Sequence, residues 1–260
     1  MKNIKTGVIG LGLIGGSIFK GLLKLGYNVI GISKSQKGDR IFKDYSYLKD
    51  CGLVFVCSKM QDTLNVLDKL ENVLGTKTIV CDVSSVKSFV LGKKYSYNFI
   101  PSHPMAGTEF SGFEASFPEL FDGAKWVISK HNKTLEKIIT DLGAKPLIVK
   151  PKEHDRAAAL ISHMPMLLAN ALFDCVSGDD IALRLASSGF RDMTRLSMTN
   201  SDLALDMIKY NEKNINKAIK KFTKSLNNLQ KMSESEKIKL LKKNAQVRSK
   251  MYKDGKNQID

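Results

Sequence analysis

The chain has 260 residues, 43% of them hydrophobic and 26% charged, with a formal net charge of +15; this is an ordinary globular composition, long for one domain and suited to two. No apolar run approaches the roughly 20 residues that span a bilayer, the stretch 160–173 is interrupted by His163 and Asn170, and Met1-Lys2-Asn3 leads straight into a strand-like segment, so a cytoplasmic protein with no leader and no membrane segment is expected. The positive charge first suggests nucleic acid, but 14 Lys/Arg against 5 Asp/Glu from residue 211 onward place +9 of the +15 in an amphipathic helical stretch without aromatic interleaving, which reads as a Lys-rich solvated helix face with no nucleic-acid partner.

The cysteines at 51, 57, 81 and 175 form no CxxC pair and no Cys/His cluster with zinc spacing, so reduced thiols and no metal site are expected. From the N-terminus, residues 5–10 read as a buried strand and 13–25 as a helix closed by Gly26. Residues 27–33 and 53–57 read as the next two strands. Residues 63–74 read as a helix with Leu64, Leu67, Leu70 and Leu74 on one face. Strands follow at 78–83, 98–100, 126–128 and 146–149, with a helix over 135–142. Such alternation predicts an α/β fold with a parallel sheet covered by helices on both faces. After Pro151 no further strand is expected. Apolar positions at 157, 160, 161, 164, 167, 168, 171 and 172 form a wide helical stripe that Pro165 should kink. Helical patterns then run to about Tyr252, broken near 177–179 and at Ser233. The expected division is therefore a Rossmann-type dinucleotide-binding domain over 1–150 and an all-α domain over 151–260. The helical half has more apolar stripes than its own core can use, which predicts packing on the sheet domain and on a second copy.

Gly10-Leu11-Gly12-Leu13-Ile14-Gly15 is a GxGxxG between a strand and a helix, the context that the motif needs. Gly10 permits the tight turn, Gly12 the approach of a pyrophosphate, and Gly15 close helix–strand packing; Leu13 and Ile14 add N–H groups at the helix N-terminus. A site for NAD places an acidic residue at the end of the second strand. Here that strand runs into Ser33 and Lys34, a hydroxyl and an ammonium where a 2′-phosphate would sit, so NADP is expected. Cys57 and Ser58, ending the third strand, and Ser84, after the fourth, complete the expected cofactor set.

The strand at 98–100 runs into SHPMAGTEFSG over 102–112. A His, a Thr and a Glu clustered where a strand ends, between Pro and Gly, form the pattern of a rigid site. This segment is similar to the SHPxAGTExSG signature of prephenate and arogenate dehydrogenases. DVSSVK at 82–87 resembles that family's DxxSVK, EHDR at 153–156 with SHMP at 162–165 its HDxxxAxxSHxP helix, and GFRDMTR at 189–195 its GFxDxTR.

The apolar stripes of the helical half make a homodimer the expected form, and the resemblance implies an enzyme of tyrosine biosynthesis that oxidatively decarboxylates a cyclohexadienol. It implies His103 as hydrogen-bond acceptor or base for the substrate's 4-hydroxyl, a task neutral imidazole performs near neutral pH. It implies Ser85 as the residue orienting that hydroxyl, and Arg195 as a bidentate partner for a carboxylate. Arg191 assists, from a neighbouring subunit, and Thr108, Glu109 and His163 complete the substrate set. On spacing alone, Arg191 and Arg195 also fit surface charges paired with Asp192 or Asp202, His163 a core histidine, and His154-Asp155 a helix cap. Many prephenate-specific members carry a histidine three residues after the one at 163 and a tryptophan nine after the arginine at 195; here stand Met166 and Ala204. With Ser33-Lys34, this looks like the cyanobacterial and plant-like arogenate dehydrogenases. The alternatives are a prephenate-specific enzyme using NADP or NAD, a β-hydroxyacid dehydrogenase, and a non-catalytic NADP-binding redox sensor.

Overall fold

Four apolar runs of four residues are buried almost throughout, and they pair side by side as parallel strands because both faces of a parallel sheet are covered. A computed structural model describes residues 3–253 and 256–257. β1 (Thr6–Ile9) lies between β2 (Val29–Ile32) and β4 (Leu53–Val56). β3 (Ile41–Phe42) extends the β2 edge, while β5 (Ile79–Asp82) and β6 (Asn98–Phe99) extend the other. The order β3-β2-β1-β4-β5-β6 reverses direction between β1 and β4, and their carboxyl ends frame the crevice where such sheets bind ligands.

The expected single parallel sheet is instead two sheets. After β6 the chain passes Pro101, which has no N–H to donate, and enters β7 (Ser102–Pro104). That strand pairs antiparallel with β8 (Lys125–Ile128), which pairs parallel with β9 (Lys145–Ile148). Neither the two-residue β3 nor β7 carries enough periodicity to be legible in the sequence.

Helices α1 (Leu13–Lys24), α2 (Met60–Leu70) and α3 (Lys133–Asp141) cover the sheets. α2 buries Thr63, Val66, Leu67 and Leu70, and Leu64 faces outward, 39% exposed, contrary to the expected Leu stripe. One core joins α1, α3 and both sheets around Trp126 and Phe55; a second lies under α2.

From α4 (Pro151–Ala158) the chain runs through a π-helical turn, Ala159–His163, into α5 (Met164–Val176). The Met164 N–H bonds back five residues to Ala159 O. The irregularity expected at Pro165 thus takes the form of a π-bulge just before it, which absorbs the missing Pro N–H and rotates His163 inward, 1% exposed. Contrary to the reading of the sequence, Pro151–Val176 is long and apolar enough, by length and composition, to cross a membrane. Its polar residues His154, Asp155 and His163 are buried and hydrogen-bonded within the protein, while only 22% of the apolar window is buried.

α6 (Asp180–Leu185), α7 (Ser188–Thr194), α8 (Ser201–Lys231) and α9 (Glu234–Met251) follow. Ser233 caps α9 with Glu236 in a reciprocal capping box, which explains the break expected there. A short pair, β10 (Tyr252–Lys253) with β11 (Lys256–Asn257), was not expected from the sequence. By packing, the chain divides after Ile215 into one compact unit carrying both sheets, α1–α7 and the start of α8, and a second unit from Asn216 onward.

Candidate active site

The glycine motif forms an open cradle. Gly10 has φ +83, and a Cβ there would lie 2.6 Å from Cys57 O; a Cβ on Gly15 would lie 2.0 Å from Gly10 O. Both positions therefore require glycine to let the turn and α1 close on β1 and β4. Gly12 differs: nothing lies within 4 Å of a Cβ built on it. α1 has no side-chain cap and no acidic residue in its first turn, and its first internal bond is Gly16 N–H to Gly12 O, 2.8 Å. The N–H groups of Leu13, Ile14 and Gly15 are left for an anion. Cys57 and Ser58 follow β4 at the crevice, and Ser58 Oγ lies 3.2 Å from Thr63 Oγ1. The Ser84 hydroxyl is buried without a hydrogen bond among the described residues. Open space, unpaired donors and an orphaned hydroxyl fit a dinucleotide.

At the end of β2, the Ser33 hydroxyl oxygen accepts the N–H groups of Ser35 (3.3 Å) and Gln36 (3.1 Å). Among the described residues its own proton meets no acceptor. Lys34 beside it is exposed.

The residue before His103 is fixed on every polar atom. Ser102 N–H donates to Asp82 Oδ1 (3.1 Å), its hydroxyl donates to Asp82 O (2.6 Å) and accepts from Trp126 Nε1 (3.2 Å), and its carbonyl accepts from Lys87 Nζ (2.5 Å). Lys87 also pairs with Asp82, with both side chains at most 1% exposed. Burial lowers the Lys87 pKa against the opposing pull of Asp82. β7 is thereby held to β5 by a buried ion pair, and His103 projects from a rigid strand.

His103 Nδ1 lies 2.9 Å from His154 Nε2, and His154 Nδ1 lies 2.8 Å from Asp155 Oδ1. Asp155 accepts in addition the N–H groups of Lys87 (2.7 Å) and Ser88 (2.8 Å). Burial alone would raise the Asp155 pKa, but bonds from His154, Ser88 and Lys87 hold it below the usual carboxylate value. An ionised Asp155 accepts the N–H of His154 Nδ1, and with that ring uncharged its Nε2 holds the lone pair and accepts from His103 Nδ1–H. The His103 lone pair is then on Nε2, which makes no hydrogen bond to the described chain. Burial first, with the positive charge of Lys87 nearby, pushes His103 well below the ordinary histidine pKa. The arrangement yields a neutral imidazole with its accepting nitrogen outward. His154-Asp155 is therefore no cap of α4, whose N-cap is Lys150.

His163 is buried beside this chain. Its Nδ1 lies 3.1 Å from Asn211 Nδ2, which also donates to Asp155 O at 2.8 Å. Burial lowers the His163 pKa to about 4.

Ser85 is half-buried in the turn after β5. Thr108 and Glu109 are exposed, with Thr108 Oγ1 accepting Phe110 N–H at 3.2 Å. Arg191 and Arg195 are exposed; Arg191 pairs with Asp192 at 3.2 Å, and Asp202 pairs instead with Lys59 at 2.7 Å. No hydrogen bond joins either arginine to the histidine cluster among the described residues. His154, Asp155, Asn211 and Lys87 join the cluster without having been expected there. The motif matches at 82–87 and 153–156 contained Lys87, His154 and Asp155 without giving them a place in the site; Asn211 gave no local signal.

Residues 32–158 match the family model for the prephenate dehydrogenase nucleotide-binding domain, and residues 150–246 match the prephenate dehydrogenase dimerization domain. The structure is similar to that of Synechocystis arogenate dehydrogenase, with 31% identity, TM-score 0.81, and 95% and 99% of the two chains covered. It is also similar to prephenate dehydrogenase from A. aeolicus in complex with hydroxyphenyl propionate and NAD+, at 26% identity, TM-score 0.83, with 94% and 97% covered. The prephenate dehydrogenase of Lactococcus lactis is 27% identical over 96% of this chain and 75% of that protein. The chain spans 64% to 75% of the length of the first two curated prephenate dehydrogenases it matches. A dinucleotide cradle, a histidine held as an acceptor and both halves of the family pattern thus meet in one chain, which belongs to the prephenate/arogenate dehydrogenase family.

Proposed function

We propose that the protein is a cytoplasmic, homodimeric, NADP-dependent dehydrogenase that converts arogenate to tyrosine by oxidative decarboxylation. Residues 1–150 serve as its nucleotide-binding domain and 151–260 as its substrate and dimerisation domain. The observation that carries the reading is the Asp155–His154–His103 chain, which leaves His103 Nε2 as a neutral acceptor. His103 accepts the proton of the 4-hydroxyl as hydride departs from C4, and returns it to that oxygen as carbon dioxide leaves C1 and the ring becomes aromatic; Ser85 orients the hydroxyl. The nicotinamide, when bound, supplies the hydride acceptor.

Gly10, Gly12, Leu13, Ile14 and Gly15 hold the pyrophosphate, with Cys57, Ser58 and Ser84 along the crevice. Ser33 donates to the 2′-phosphate and Lys34 supplies charge. The absence of a carboxylate at the end of β2 supports NADP. Arg195 grips a substrate carboxylate, assisted by Arg191 from the neighbouring subunit. Thr108, Glu109 and His163 complete the site. Arogenate is favoured because Met166 and Ala204 pack into an apolar cluster with Met60, Val86 and Met207, at positions where many prephenate-specific members of the family carry a histidine and a tryptophan.

Formation of reduced nicotinamide from arogenate and prephenate, each with NADP and NAD, tests the reading. Arogenate with NADP should turn over fastest, and His103→Asn should abolish most of that activity. Preference for prephenate or NAD reverses the specificity; no turnover of either substrate with NADP binding intact sinks the enzyme.

A further inference from the structure

Two histidines, the half-buried His103 and the buried His163, approach the same residue, Asp155. His103 reaches its carboxylate through His154, and His163 reaches its backbone carbonyl through Asn211. We propose that Asn211 is a positioning residue that fixes the His163 ring with its proton on Nε2, so that the site presents two histidines of opposite polarity, His103 accepting and His163 donating.

The assignment follows from chemistry at each contact. A backbone carbonyl only accepts, so the Asn211 atom 2.8 Å from Asp155 O is the amide nitrogen. The other end of that amide gives the same orientation, because Asn214 Nδ2 lies 2.8 Å from Asn211 Oδ1 and meets an acceptor there. With one N–H on Asp155 O, the second N–H of the same group faces His163 Nδ1 at 3.1 Å. A donor facing Nδ1 requires a lone pair on it. Burial keeps the ring uncharged near neutral pH, so its one proton is on Nε2. That nitrogen makes no hydrogen bond to the described chain.

The helix is shaped to this purpose. Asn211 has φ −125 and ψ 18 inside α8, where the helix kinks, and its side chain is carried into the interior, 4% exposed. Met207 in the apolar cluster and Tyr210, stacked on Phe89 at 4.6 Å, hold this stretch of α8 in place. A neutral N–H in such a site suits a carboxylate or carbonyl oxygen of the substrate and disfavours an ammonium. His163 is thereby directed at an acid group of the substrate, and its identity as a substrate contact rests on the function proposed above.

The first test needs no variant of Asn211. Nitrogen-15 spectra of the histidine rings in the unliganded protein near neutral pH, assigned with His163→Gln, should show His163 protonated on Nε2 and His103 on Nδ1. A His163 proton on Nδ1, or rapid averaging between both nitrogens, overturns the inference even if turnover is normal. Asn211→Asp places an acceptor against Nδ1; the His163 tautomer should invert, and KM should rise about tenfold with kcat within about twofold. Inversion with unchanged KM removes His163 from substrate binding and overturns its half of the proposal. Correct tautomers with no turnover of arogenate or prephenate leave the role of Asn211 standing and sink the assigned reaction.

Discussion

The Nδ1 atom of His103, on a strand, lies 2.9 Å from Nε2 of His154, on a helix 51 residues later. This single contact decides which nitrogen of His103 is left to work. With His154 bonded to Asp155, His103 is restricted to the tautomer whose lone pair is on Nε2.

Replacing His154 with Leu should therefore lower kcat without removing any group that touches substrate. The ring of His103 would lose its acceptor and spend part of its time with the proton on Nε2. A loss of roughly 10²-fold in kcat is expected, less than for His103→Asn. Steady-state kinetics of both variants check this, and equal losses would show that His154 acts only through the fold.

The pH profile follows from the direction of the His103 shift. A base works only when unprotonated, so activity falls as pH drops through its pKa. Burial, with the positive charge of Lys87 nearby, places that pKa well below 6.5. kcat/KM should accordingly stay flat from about pH 8 to below 6.5. An acid limb with its midpoint at or above 6.5 would show that His103 is not shielded as described.

Stability should also depend on pH in this range. The His163 pKa falls from 6.5 to about 4 on folding, so the folded state binds fewer protons. The contribution is fully present above pH 6.5 and lost as pH falls toward 4. A shift of that size corresponds to about 3 kcal/mol, of which about 2 kcal/mol is gone at pH 5. Asp155, whose pKa is lowered, gives way only further down. Urea midpoints at pH 7 and pH 5 should differ less in His163→Asn than in the native chain.

Much of this fold was legible in the sequence because its signals are local. GLGLIG between a strand and a helix announces the cradle, and the buried runs of β1, β2 and β4 announce a parallel sheet. What was not legible depends on contacts distant along the chain. β7 is only three residues and pairs through β8, so His103 read as lying in a loop after a strand. Asn211 looks like any polar residue on an amphipathic helix until the kink carries it to Asp155, 56 residues away. The outward face of Leu64 shows the same limit: apolar spacing alone did not decide which side of α2 met the sheet.

The buried pair Lys87–Asp82 anchors β7, and its cost when broken should be large. Lys87→Met leaves Asp82 buried with its charge uncompensated. The expected loss is about 3–5 kcal/mol, a fall in Tm of roughly 10 °C for a domain of this size. Calorimetry checks the figure, and a fall of about 1–2 °C would mean that water or a relaxed Asp82 replaces the lysine.

Ser33→Asp should convert the preference of the cofactor site. The substituted carboxylate still accepts the N–H groups of Ser35 and Gln36, so the turn after β2 is retained. It repels a 2′-phosphate and offers an acceptor to a ribose hydroxyl. NADP should bind at least about tenfold more weakly, with NAD unchanged or tighter. Fluorescence titration with both reduced cofactors reads this directly. Equal weakening of both would place Ser33 outside the 2′ site.

Gly12 and Gly15 should fail in different ways when changed to alanine. A Cβ on Gly15 meets Gly10 O at 2.0 Å and Cys57 Cβ at 2.9 Å. Backbone must move to admit it, so Gly15→Ala should destabilise the unliganded protein as well as weaken cofactor binding. A Cβ on Gly12 meets nothing within 4 Å. It should leave the melting temperature of the unliganded protein nearly unchanged, because no protein atom is displaced. It should nevertheless weaken dinucleotide binding about tenfold or more, because the added methyl occupies the space over which the pyrophosphate must pass. Melting curves with and without NADP separate the two. If Gly12→Ala is stabilised by NADP as well as the native chain, the pyrophosphate does not approach the backbone at Gly12, and the cradle has been placed on the wrong glycine.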